Sequence, residues 1–238
     1  MTTNVFDINA RHMATDSRWS IDSVKFVLYI DDTGFDKICT AKGHAFMFAG
    51  NGKLIEQWKN WIAQPSSLTK PPIIQDNAVI SVCIANIETA LVRFERGQEI
   101  SLPLARFAGS GAKFARNCWL INNNAQRAVT SAAEQDLFSG GIVSFFDFCS
   151  GQHNLLNSVS IKDVQTQLLE GFVMYKFINS GQPIPAREAA ARDPDVKALL
   201  DKVAQGQISV NAPCESMYTP WTENEINEFH AVLDDIFA

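Results

Sequence analysis

After Gly50 the apolar pattern changes period, and that change limits what the chain can fold into. Up to that point, β-favouring runs alternate with turn chemistry. Thr2 to Ile8 and Met13 to Ser17 flank a polar turn at Asn9–Arg11. Val24–Ile30 runs into the turn-like Asp31-Asp32-Thr33-Gly34, and Phe35–Thr40 and His44–Ala49 frame Lys42-Gly43 as another hairpin. Beyond Gly50, Leu54, Ile55, Trp58, Trp61 and Ile62 fall on one face at helical spacing. That helix stops before Gln64-Pro65-Ser66-Ser67, which is loop chemistry.

Ala78–Ala85 and Thr89–Phe94 return to strand, with a turn at Glu95–Gln98. One helix is expected from Ser110–Gly111 through Trp119. A second starts at Asn124, a good N-cap, and carries Ala128, Val129, Ala132 and Leu137. Gly140–Cys149 is nearly continuously apolar, as a strand covered on both faces would be. Runs of strands and runs of helices imply packed layers rather than a regular βαβ alternation. From about His153 onward the expectation is helix. Val164, Leu168, Leu169, Phe172 and Val173 form one stripe, and Ala186–Gln205 is an Ala-rich region broken at Asp193-Pro194. Thr222 and Glu225 have capping-box spacing ahead of Ile226, Phe229, Val232, Leu233 and Ile236. Gly181–Pro185 and Gln207–Pro220 read as linkers. The expected organisation is a core over residues 1–152 and a helical C-terminal extension over 153–238.

The chain has 238 residues, 46% of them hydrophobic, enough for one large core. A formal net charge of −6 and the lack of a basic run argue against nucleic acid as a partner. No stretch is apolar for long enough to span a bilayer, and the first residues lack the basic-then-apolar order of a signal peptide. The expectation is a cytoplasmic protein with no membrane partner. Cys39, Cys83, Cys118, Cys149 and Cys214 include no CxxC pair, and the four histidines show no HxxxH. No GxxxxGK or GxGxxG occurs. Neither a metal nor a cofactor is expected.

Six short elements occur in order: Thr2-Thr3, Asp16-Ser17-Arg18, Lys37, Ala49-Gly50, Gly109-Ser110-Gly111 and Asp136-Leu137-Phe138-Ser139-Gly140-Gly141. The chemistry they could serve is nucleophilic. A threonine hydroxyl needs a base, and an N-terminal amine has a pKa near neutrality. A buried lysine lowers the proton affinity of a neighbouring hydroxyl, and an aspartate holds that lysine. A backbone N–H in a glycine turn can stabilise an oxyanion. Each element is weak alone, but the ordered set over roughly residues 2–150 resembles the catalytic β-type subunits of proteasomes and the bacterial heat-shock peptidases, which are N-terminal-nucleophile (Ntn) hydrolases.

That resemblance implies an α+β fold, a four-layer α-β-β-α sandwich with a helical C-terminal extension. It implies that Thr2 is the nucleophile once Met1 is removed, its freed amine the proton acceptor, Lys37 the tuning cation and Asp16 the holder of Lys37. It gives the Gly50 N–H to the oxyanion and Ser110, Asp136 and Ser139 to positioning the threonine. It places Trp19, Ser20, Phe35, Cys39 and Phe48 near an apolar substrate pocket. The implied partners are a peptide or protein substrate, a homo-oligomer and an ATP-driven unfoldase. The chain departs from the family in a shorter first hairpin, a longer stretch from Asp16 to Lys37, a bulky Trp19 and the tail after residue 150. An inactive binding, inhibitor or immunity-type protein on the same scaffold, or a small-molecule amidase, stays open beside the peptidase.

Overall fold

The computed structural model describes residues 2–66, 68–73, 80–177, 182–214 and 219–238. Met1, Ser67, Ala78, Val79, Gly181 and part of the expected 207–220 linker lie outside the described residues. β1 (Asn4–Asp7) and β2 (His12–Thr15) form the first hairpin, with Asn4 opposite Thr15. β3 (Trp19–Asp22) and β4 (Phe26–Ile30) form the second, and β5 (Ile38–Ala41) and β6 (His44–Asn51) the third. The third turns at Lys42 and Gly43, both at positive φ, as a tight two-residue hairpin turn requires. α1 (Gly52–Ala63) starts at Asn51, whose Oδ1 accepts from the Leu54 N–H at 3.1 Å.

β7 (Ile80–Asn86), β8 (Val92–Arg96), β9 (Ile100–Leu102) and β10 (Ala105–Ala108) follow. Then come α2 (Ala112–Asn122), α3 (Ala125–Ala133), β11 (Ser144–Asp147) and α4 (Ile161–Leu168). The last third holds β12 (Phe172–Tyr175), β13 (Ile184–Pro185), α5 (Ala186–Arg192), α6 (Pro194–Ala204), β14 (Asn211–Ala212) and α7 (Glu223–Phe237).

Mixed helix and sheet is therefore the architecture. Among the described residues one sheet runs β11-β2-β1-β10-β9. The other runs β13-β12-β4-β3-β14-β6-β7-β8, with β5 also on β6. Neighbouring strands pair antiparallel throughout. Period-2 alternation sorts each strand's side chains between two cores. Val5 and Ala14 pack with Phe107, Trp119 and Val129 under α2 and α3. Their neighbours Phe6 and Met13 meet Ile38, Met47 and Cys83 between the sheets. On the far side of the larger sheet, Trp19, Leu28 and Phe48 join Trp58 of α1, Val164 of α4 and Phe229 of α7. A large apolar side chain buried in this way stabilises the fold by about 1.5–3 kcal/mol.

Helix throughout the tail is corrected at Phe172–Tyr175, which is strand. Its residues lay in phase with the α4 stripe, but β4 offers an open edge, and Val173 pairs with Leu28 there. Gly171 permits the turn into that strand, because a Cβ on it would overlap the Tyr29 carbonyl. Leu137 falls beyond the end of α3, β3, β9 and β10 were not anticipated, and β13 and β14 fall in the stretches read as linkers.

Candidate active site

The β1–β2 ladder continues one rung past its strands: the Asp16 N–H donates to the Thr3 carbonyl at 3.2 Å. This places Thr2 and Asp16 side by side at one end of the hairpin. Asn4 ties that end to the larger sheet. Its Oδ1 accepts from Thr15 Oγ1 at 2.6 Å, and its Nδ2 donates to the Phe48 carbonyl at 2.8 Å. Lys37 comes from the other sheet, where the Phe48 N–H donates to its carbonyl at 2.8 Å.

Thr2, Asp16 and Lys37 converge in the interior, with Thr2 at 0% exposure and the other two at 1%. Lys37 Nζ donates to Thr2 Oγ1 at 2.7 Å, to the Asp16 carbonyl at 2.7 Å and to Asp16 Oδ1 at 3.0 Å, which uses all three ammonium donors. Thr2 Oγ1 in turn donates to Asp16 Oδ1. The carboxylate is saturated: Oδ1 also takes the Thr3 N–H at 2.8 Å, and Oδ2 takes the N–H groups of Arg18 at 3.1 Å and Gly140 at 3.2 Å. Burial pushes the Lys37 ammonium below the usual lysine range, against the opposing pull of Asp16.

Ser110, Asp136 and Ser139 form a second group. Asp136 Oδ2 accepts from Ser139 Oγ at 2.6 Å and from Ser110 Oγ. Ser139 Oγ lies 2.7 Å from Thr3 Oγ1, so the group meets the chain one residue after Thr2. The Gly111 N–H reaches the Thr2 carbonyl at 3.3 Å. This close approach needs glycine: a Cβ at Gly109 would overlap the Thr2 carbonyl, and one at Gly111 would overlap Thr3 Oγ1.

The residues expected around a substrate pocket divide. Trp19 and Phe48 are wholly buried, Trp19 donating from Nε1 to the Phe35 carbonyl at 3.0 Å. Ser20 is wholly buried too, and its hydroxyl has no partner among the described residues. Phe35 and Cys39 line a cavity of about 530 Å³ together with Glu56, Lys59 and Asn157. Lys59 Nζ lies 4.1 Å from the centre of the Phe35 ring and donates to the Asp36 carbonyl at 2.8 Å. Gly50 sits in β6, paired with Ile80 on one side and Ala212 on the other. Sequence reasoning did not single out Asn4 or the tail strand β14. Asn4 had only its place after Thr2-Thr3 as a signal, and a two-residue strand has no periodicity to read.

Among the described residues no group of three or more His, Cys, Asp or Glu side chains could hold a metal ion, and no helix is long and apolar enough to cross a membrane. The arrangement offers a hydroxyl held between a buried cation and a buried carboxylate, which is the equipment of a nucleophile.

No protein-family model matches the chain, and no curated protein matches it. Among solved structures it is similar to Thiobacillus denitrificans BPH, a bacterial proteasome homologue, in complex with epoxomicin. That likeness has 15% identity and a TM-score of 0.45, over 61% of this chain and 97% of the other. The same protein without that ligand gives 15% identity, a TM-score of 0.42 and coverage of 61% and 96%. HslV from Trypanosoma brucei gives 16% identity, a TM-score of 0.41 and coverage of 60% and 97%.

Proposed function

We propose that the chain is an N-terminal-threonine amide hydrolase, a proteasome-like peptidase that works through an acyl-enzyme on Thr2. The observation that carries this is the 2.7 Å contact of the buried Lys37 Nζ with Thr2 Oγ1, with Asp16 closing the triangle. The three cores, helices on sheet, sheet on sheet and sheet on helices, support a four-layer sandwich. Residues 1–152 supply the reacting groups, and 153–238 pack on them while adding β12, β13 and β14 to the larger sheet. A soluble cytoplasmic homo-oligomer fed by an ATP-driven unfoldase belongs to the same proposal.

Removal of Met1 leaves Thr2 with a primary amine. This amine takes the proton from Oγ1 as the oxygen bonds to the substrate's carbonyl carbon. The oxyanion is held by the Gly50 N–H. The C–N bond then breaks, and the amine product leaves with the transferred proton. Water adds to the resulting ester and gives its proton to the Thr2 amine. Collapse breaks the ester bond, restores the hydroxyl and releases a carboxylic acid. A positioned base contributes about 10²–10⁴-fold and one oxyanion donor about 10²–10³-fold. Lys37 favours the developing alkoxide as a cation held beside it.

A second reading, an inactive binding protein on this scaffold, is favoured by the complete burial of Thr2. Intact mass after treatment with a threonine-directed epoxyketone separates the two. The hydrolase loses Met1 and gains one adduct that Thr2→Ala lacks. The binding protein gains none.

A further inference from the structure

β3 and β6 do not pair with each other. The strand between them is β14, which comes from the far end of the chain. Asn211 pairs with Ser20 on one side and Asn51 on the other, and Ala212 pairs with Gly50. The Gly52 N–H donates to the Val210 carbonyl at 3.0 Å, and the Phe48 N–H points to the same edge, toward Lys37. Alternate residues of an antiparallel strand present their N–H groups to one side. The Gly50 N–H, the group given above to the oxyanion, therefore faces Ala212.

The fit is built rather than incidental. Val210 and Ala212 are at 0% exposure, and Cys214 at 1% packs on Ala49. Asn51 Nδ2 donates to Asn211 Oδ1 at 3.3 Å. Gly52 leaves room for the segment, since a Cβ there would lie 2.7 Å from the Val210 carbonyl. Pro213 ends the ladder because it has no N–H to give. Without this strand, β3 and β6 would face each other across a gap one strand wide, roughly 9–10 Å between their axes. Both edges would be unpaired, and any extended peptide could satisfy them through its backbone.

We propose that Val210–Cys214 is an internal pseudosubstrate: it fills the slot of an extended peptide beside Thr2 and has to leave before a substrate can enter. The proposal rests on Thr2 being the nucleophile.

The test uses the full chain and two releasing variants. Val210→Asp puts a charge in the buried strand, and Asn211→Pro removes the N–H that faces β3. A peptide epoxyketone is added and its single adduct followed by intact mass. At least tenfold faster labelling of the variants than of wild type is expected. A synthetic peptide of residues 207–214 slows them again, and Thr2→Ala in the Asn211→Pro chain takes no label. Equal labelling of wild type and both variants overturns the pseudosubstrate and leaves the nucleophile standing.

If no chain labels, hydrogen exchange decides. Restored protection of β3 and β6 amides by the added peptide keeps the displaceable strand and removes the nucleophile. No such protection overturns the proposal. Should both releasing variants fail to fold, Ala49→Cys, oxidised onto Cys214, replaces them. Labelling that rises on phosphine reduction supports the displacement, and a rate indifferent to reduction overturns it.

Discussion

Gly111 and Thr3 are in such close contact that a Cβ on the glycine would overlap the threonine hydroxyl oxygen. Gly111 has an ordinary helical φ of −75°, so the demand for glycine is one of space and not of backbone conformation. Gly111→Ala is expected to push Thr3 off Ser139 and to cost about 1–3 kcal/mol, the usual penalty of overpacking. Gly206→Ala is the control. That residue has positive φ and open space around it, so only the left-handed penalty of about 1–2 kcal/mol applies. Urea titration measures both, and only Gly111→Ala is expected to slow epoxyketone labelling as well.

Asp16 is the counter-charge of a lysine with no solvent. Asp16→Asn is expected to destabilise the fold by about 3–5 kcal/mol, because it strands a buried ammonium. It should also depress labelling of Thr2 at least a hundredfold, the low end for losing a proton-handling arrangement. A variant that retains wild-type stability and labelling would exclude the triangle from both roles.

The depressed Lys37 ammonium has a thermodynamic consequence. Between its lowered folded pKa and the ordinary lysine value of 10.5, the unfolded chain binds more protons than the folded one. Stability contributed by this group therefore rises with pH across that window. Lys59 is lowered too, so the measurement is a difference. Unfolding free energy plotted against pH should climb more steeply for wild type than for Lys37→Met, and parallel curves would contradict the burial of the charge.

Burial pushes the Cys83 thiol up to about 12, so almost none of it is thiolate at neutral pH. Cys149 is exposed. Native alkylation at pH 8 should mark Cys149 first and leave Cys83 untouched until the chain unfolds. Peptide mapping reads the order.

Thr222 accepts the Glu225 N–H and Glu225 accepts the Thr222 N–H, a complete capping box. Thr222→Ala should cost about 1 kcal/mol of stability. The loss should appear as a lower melting temperature with labelling of Thr2 unchanged.

Signals confined to a few neighbouring residues were legible. The α1 stripe, the Asn124 cap and the α7 capping box each depend on atoms three or four residues apart, and each appears where the spacing put it. Phe172–Tyr175 misled because helical spacing and an edge strand are compatible with the same four residues, and the choice belongs to distant β4. β14 was invisible for the same reason in stronger form. In the candidate site, the order of motifs along the chain was readable, while the meeting of Ser139 with Thr3 depends on the turn after Asp136 and on two glycines that let backbones touch. Lys37 was picked out by its place in that order, while its burial depends on the two sheets closing over it.

Ser20 and Asn211 are neighbours in a sheet but come from opposite ends of the chain. A ribosome adding about 5–20 residues per second needs on the order of ten seconds to pass from β6 to β14. For that interval the nascent chain carries β3 and β6 with bare edges. Vectorial synthesis thus makes the tail strand a late arrival in its own sheet, and a polypeptide truncated before Val210 would be left permanently in the open-edged state that invites aggregation.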